Sequence, residues 1–141
     1  MSSATLAKGT LFKMGDGASP EVFTTITELT SISSGPAGVT EVVDVTNHDT
    51  SGAIREKIPG LIEPVQITLR GNSVADTQQN AVRTAQEQRT LKNFKLVTTH
   101  LTPKTGAFAG YVIGHKIIPD PINGPNVVEI VIQQTGAVTW T

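Results

Sequence analysis

Apolar and polar positions alternate along most of this chain, the two-residue period of strands with one buried face. In the clearest run, Val65 to Arg70, Val65, Ile67 and Leu69 share one face and Gln66, Thr68 and Arg70 the other. Val127 to Gln134 repeats the pattern, with Val128, Ile130 and Ile132 opposite Glu129, Val131 and Gln133. Further extended runs are Thr10 to Met14, the threonine-rich stretch Val22 to Ser33, Val39 to Thr46, Phe94 to Thr99, Phe108 to Ile118 and Ala137 to Trp140. Turn-forming residues separate them: Gly15-Asp16-Gly17, Gly35-Pro36-Ala37-Gly38, Thr105-Gly106 and the proline-rich segment 119–125. Gly110 and Gly114 predict bends or close backbone approach inside a strand, and Gly136 interrupts the last one.

One segment has helical composition. Residues Ala75 to Leu91 are rich in Gln, Ala, Arg and Glu and lack Gly and Pro. Ser73, with Asp76 three residues later, predicts the N-cap. The apolar face is thin (Val74, Ala81, Val82, Ala85, Leu91), which suits a helix flanking a sheet. Some seven strands with short connections then predict a mainly β domain: an antiparallel β-sandwich or barrel-like sheet with one flanking α-helix at about residues 75–91.

The segment Glu41 to Gly60 departs from this rhythm. After a strand it carries Asp44, Thr46, Asn47, His48, Asp49, Ser51, Arg55, Glu56 and Lys57, then Ile58-Pro59-Gly60. A loop over about 46–60 exceeds the usual few-residue connection. Long charged loops between strands commonly meet a partner, and the mixed charge predicts a polar protein contact. Asp44, His48, Asp49, Arg55 and Glu56 are also acid–base groups, but no nucleophile motif accompanies them, so no enzyme is predicted and no catalytic residue is assigned.

Composition removes other classes. The formal net charge of −1 gives no basic excess for tight nucleic-acid binding. Without cysteine there is no disulfide or thiolate chemistry. His48, His100 and His115 lack metal-ligand spacing, and Gly15-x-Gly17 lacks the spacing and lysine of a phosphate loop, so neither metal nor cofactor is expected. No apolar run is long enough to cross a bilayer, and the first dozen residues lack signal-peptide character.

Three blocks carry a resemblance. The first is Gly15-Asp16-Gly17-Ala18-Ser19-Pro20-Glu21-Val22-Phe23-Thr24, with Ile26 and Thr30-Ser31-Ile32 after it. The second is Asp44-Val45-Thr46-Asn47-His48-Asp49, then Arg55-Glu56 and Ile58-Pro59-Gly60-Leu61. The third is Phe108-Ala109-Gly110-Tyr111-Val112 with Thr135-Gly136-Ala137-Val138-Thr139-Trp140. In order and over nearly the whole chain, they resemble the tail tube (major tail) proteins of bacteriophages with long non-contractile tails.

That resemblance implies one tail tube domain over 1–141, without the further C-terminal domain of some relatives. It implies a structural protein of the virion tail, assembled in the host cytoplasm. Its subunits form hexameric rings that stack into a hollow tube, the conduit for viral DNA. Tape measure, tail terminator and tail-tip or baseplate proteins would be its partners, and DNA would pass without specific binding. The long loop would reach the neighbouring ring, making Asp44, Asn47, His48, Asp49, Arg55, Glu56 and Lys57 contact residues. Arg55 could pair with Asp49 or Glu56 of a neighbour. Thr25, Thr27, Glu28, Gln66, Thr68, Glu129 and Gln133, on hydrated strand faces, are the expected lumen-lining residues. Alternatives are the tube of a related secretion or phage-like particle, or a stand-alone β-domain binding a protein or carbohydrate.

Overall fold

The computed structural model describes residues 2–50, 52–119 and 122–141. Ser51 of the polar segment, and Asp120 and Pro121 of the predicted 119–125 turn, lie outside the described residues. The elements are β1 (Leu11–Gly15), β2 (Phe23–Thr25), β3 (Leu29–Ile32), β4 (Gly38–Asp44), β5 (Lys57–Pro64), β6 (Gln66–Asn72), α1 (Thr77–Gln88), β7 (Lys92–Val97), β8 (Thr105–Ile118) and β9 (Val127–Trp140). Seven strands form one sheet in the order β2-β1-β7-β8-β9-β6-β3, every pairing antiparallel. β4 and β5 pair only with each other.

The mainly β, barrel-like architecture with one flanking helix is as the alternation predicts. The stretch from Val22 to Ser33 is not one strand, however. It breaks at Ile26–Glu28, and its halves, β2 and β3, occupy opposite edges of the sheet. Glu28 takes a left-handed conformation (φ 62°), which turns the chain. In crossing, Ile26 N–H donates to the Phe12 carbonyl of β1, and Asn72 N–H of β6 donates to the Glu28 carbonyl. Ile26 itself is buried in the core.

Inside the curve, Phe12, Phe94 and Phe108 meet with ring centroids 5.5–6.0 Å apart. Ile67, Leu69, Val128, Ile130 and Ile132 complete the interior, the inward sets of the two alternating runs. Helix α1 packs on β8 and seals one opening with Val82 and Ala85. It is shorter than predicted at both ends. Ser73 is not the cap: its N–H donates to the Asn126 carbonyl, and the cap falls at Asp76. Asp76 is the cap residue, yet its carboxylate accepts from the Thr27 hydroxyl (2.8 Å) instead of from the helix. Arg89, left-handed at φ 55°, ends the helix before Leu91.

The predicted Thr105-Gly106 turn already belongs to β8, and the reversal lies upstream, where Thr98 N–H donates to the Lys104 carbonyl. Gly110 is a close backbone approach: a Cβ there would lie 2.6 Å from the Gln133 carbonyl oxygen. Between the pairs Ala107–Thr139 and Ala109–Thr135, β9 carries an extra loop of backbone around Gly136, whose φ of 76° favours glycine.

Candidate functional site

The predicted 46–60 loop is the tip and one leg of a protruding hairpin. Lys57–Gly60 are strand residues in β5, so the loop proper spans 45–56. Pro59 and Gly60 disguise the strand in the sequence. They are tolerated because each strand of a two-stranded ribbon has an open edge and needs no second ladder. β5 runs to Pro64 and β6 restarts at Gln66, one residue later than the alternation predicts.

Val39 is 64% exposed, Val42 61%, Ile58 50%, Leu61 83% and Ile62 66%. Neighbours along a strand point to opposite faces, so Leu61 and Ile62 make both faces apolar. Beside the polar tip, the hairpin thus has a stem in which exposed branched side chains alternate with Thr40, Glu41, Lys57 and Glu63.

The tip is ordered by its own bonds. Asn47 Oδ1 accepts from Asp49 N–H (2.8 Å), and Asn47 N–H donates to the Thr50 hydroxyl (3.0 Å). Glu56 N–H donates to the Thr46 hydroxyl (2.9 Å), and Val45 N–H to the Glu56 carbonyl (2.9 Å). Arg55 Nη1 donates to Asp44 Oδ2 at 3.0 Å, an ion pair within the chain. The hydroxyl and N–H of Thr46, then Arg55, hold the Asp44 carboxyl below the usual carboxylate range. Asp44 also faces Lys57 across the ribbon, and His48 is exposed at the turn.

The lumen-lining residues of the sequence reading divide. Gln66, Thr68, Glu129 and Gln133 share the outer face of β6 and β9, with Gln66 opposite Gln133 and Arg70 opposite Glu129. Glu129 accepts from Arg70 (3.3 Å) and lies 3.8 Å from Lys116 Nζ. Thr25 lies on the same outer surface at its far edge, opposite Lys13. Thr27 and Glu28 belong instead to the crossover beside α1. There Thr27 donates to Asp76, Glu28 Oε2 accepts from Asn72 Nδ2 (3.0 Å), and buried Gln79 donates to the Thr27 and Asn72 carbonyls.

Charge is unevenly spread. Residues 38–64 hold five carboxylates and two cations, leaving the rest of the chain net positive. The outer sheet surface bears Lys13 and Lys95 directly opposite each other, with Lys95 Nζ 4.0 Å from the Phe23 ring centroid. Among the described residues no three His, Asp or Glu side chains converge as a metal site.

The sequence reading missed the apolar stem and Gln134. The stem's signal is the density of branched residues in Val39–Val43 and Ile58–Ile62. Gln134's signal is its parity, since it follows Val128, Ile130 and Ile132 on the buried face. The first resemblance block is a turn nucleated by Asp16, whose Oδ1 accepts from Ala18 N–H (2.9 Å) and Val22 N–H (3.1 Å).

No family model and no curated protein sequence matches this chain. Solved structures do. The chain is similar to a subunit in the tail of an empty gene transfer agent particle refined with C6 symmetry, at a TM-score of 0.77 and 22% identity, over 98% of this chain and 99% of that one. It is similar to a subunit of the SPP1 tail tube at a TM-score of 0.73 and 13% identity, over 98% and 79%. It is similar to a chain of the PVC sheath-tube complex, from an extracellular contractile injection system, at 0.67 and 18%, over 94% and 87%. At such identities the likeness speaks to architecture, and across almost its whole length this chain has the tail tube fold.

Proposed function

We propose that this chain is the tube subunit of a phage or phage-like tail, a structural protein whose copies join in rings of six that stack into a hollow conduit. The observation that carries this reading is the β4–β5 hairpin, apolar on both faces and exposed along nearly its whole length. Burying one exposed Val, Leu or Ile stabilises by roughly 1.5–3 kcal/mol. Five half- to four-fifths-exposed side chains together represent on the order of 5–10 kcal/mol gross, comparable to the total stability of a small domain. A second copy that covers the stem would realise this, with the charged tip as the polar rim of the contact. Asp44, Asn47, His48, Asp49, Arg55, Glu56 and Lys57 are the rim residues of that contact.

The likeness to a tail refined with C6 symmetry supports rings of six, and the likeness to the SPP1 tail tube supports a tail role. In this reading the open edges of the sheet continue into neighbouring subunits. The outer face with Gln66, Thr68, Glu129 and Gln133 lines the lumen. Glu129 there shares its carboxylate between Arg70 and Lys116, which lessens their pull on a passing polyanion. The tape measure protein occupies the lumen during assembly, DNA crosses it later, and terminator and tail-tip or baseplate proteins close the ends. The site is the virion tail, reached from the host cytoplasm. The likeness to an injection-system tube favours one second reading, the inner tube of a sheathed particle. Co-purification of a sheath protein with the tube would select it.

Electron microscopy of concentrated purified protein tests the reading. Stacked rings or tubes of uniform diameter are expected. A sample that stays monomeric at every concentration, even with tail-tip complexes as initiators, overturns it.

A further inference from the structure

The hairpin protrudes, so little packing fixes its direction. Beyond its pairing with β4, β5 meets the barrel chiefly at β9, near its Pro64 end. An open groove of about 590 Å³ runs beneath this base, lined by Ala37, Gly38, Ile62, Pro64, Gln134 and the Gly136 bulge. Hydrogen bonds at the ribbon's two legs add to the covalent join with β6, and both legs meet one residue. Gln134 Oε1 accepts from Ala37 N–H at 3.0 Å, immediately before β4. Gln134 N–H donates to the Val65 carbonyl at 3.3 Å, immediately after β5. Gln134 Nε2 donates to the Gly136 carbonyl at 3.0 Å, anchoring the amide to the bulge of β9.

Gln134 is 2% exposed, at a position where the alternation of β9 calls for an apolar side chain. A buried amide at such a place is costly unless both its donor and its acceptor are satisfied, and here both are. The chemistry is specific. The site needs one acceptor for Ala37 and one donor for Gly136 at the end of a two-methylene arm. Glutamate offers no donor when ionised, and methionine offers no donor and only a weak acceptor. Gly136, at φ 76°, aims its carbonyl at this amide through a backbone conformation that side-chain-bearing residues rarely adopt.

We propose that Gln134 is the positioning residue of the hairpin: its amide sets the angle at which the β4–β5 ribbon leaves the barrel, and thereby the geometry with which one subunit engages the next. The second half rests on the tube reading above. The first half stands on the isolated chain.

Backbone amide exchange on the full chain in its unassembled state, with Gln134→Met and Ala37→Pro compared with wild type, tests it. Ala37→Pro removes the same bond from an exposed position outside the core, so a folding defect of Gln134→Met does not decide the outcome. Exchange across Gly38–Pro64 is expected to accelerate roughly tenfold in both variants while β7 and β8 keep wild-type protection. The variants should then form fewer tubes, or tubes of irregular diameter. Unchanged hairpin exchange, or acceleration spread evenly over the whole sheet, overturns the positioning role. Wild-type protein that forms no tubes overturns the tube reading alone, and the exchange comparison still decides Gln134.

Discussion

Leu61→Ser isolates the contribution of the apolar stem. Leu61 is 83% exposed in the isolated chain, so almost none of its surface contributes to the fold. Full burial of a leucine is worth roughly 1.5–3 kcal/mol, and the share still open at Leu61 is therefore about 1.2–2.5 kcal/mol. In a stack where each added subunit docks one hairpin, that difference appears once per addition step. At 1.4 kcal/mol per factor of ten, the critical concentration for tube growth rises roughly seven- to sixtyfold. The monomer should barely respond, because surface substitutions away from packed groups fall within about 0.5 kcal/mol. Two assays separate these effects: pelleting or light scattering against concentration for growth, and urea unfolding of the monomer for the fold. A variant whose growth curve superimposes on wild type refutes the reasoning, since the stem would then remain in water in the assembly too. A variant with a lowered urea midpoint refutes it differently, by showing that Leu61 already packs within one chain.

Arg55→Glu places a third carboxylate beside Asp44 and Glu56; tube growth by pelleting should fail while the circular dichroism of the monomer stays as in wild type. Phe94→Ala removes one fully buried ring of the three-ring cluster and should cost about 3–5 kcal/mol in urea unfolding. Burial, then the nearby Arg83, holds His115 below its ordinary value of 6.5, with Glu87 opposing. The unfolded chain therefore takes up the proton first, and the His115 contribution to stability, fully present above pH 6.5, is lost as pH falls below it. The urea midpoint of His115→Gln should fall less between pH 7 and pH 5 than that of wild type.

What the sequence discloses here depends on whether a residue faces the chain's own core. Val65–Arg70 and Val127–Gln134 are legible because a buried face enforces strict alternation. Glu28 is not: a single left-handed residue splits Val22–Ser33 across two sheet edges, and nothing in its side chain announces it. The helix is legible in its middle and not at its ends, because the Ser73 N–H and the Asp76 carboxylate bond outside it and a left-handed Arg89 stops it. At the candidate site, the polar tip stands out by composition. The stem does not, because Val42, Ile58 and Leu61 carry the same apolar signature as a core strand while facing outward. Gln134 is the converse, a polar residue on a buried face whose partners come from segments 97 and 69 residues away.

Net charge misleads for a related reason. The value of −1 suggests a chain indifferent to charge, yet it is the remainder of an acidic hairpin and a basic body. Carboxylates at Glu41, Asp44, Asp49, Glu56 and Glu63 make one hairpin repel another. That repulsion opposes the ribbon-to-ribbon pairing that two open, apolar edges would otherwise invite, the usual hazard of an exposed strand. The body offers the opposite sign, including Lys13 and Lys95 side by side on the outer sheet surface. An acidic ribbon and a basic barrel on the same molecule favour head-to-tail contact between copies over contact between like parts. Head-to-tail contact either closes into a ring or continues as a stack, whereas like-with-like contact stops at a pair. The same segregation gives one carboxylate local weight: on the outer surface of β6 and β9, Glu129 meets both Arg70 and Lys116, and without it that stretch would present two uncompensated cations.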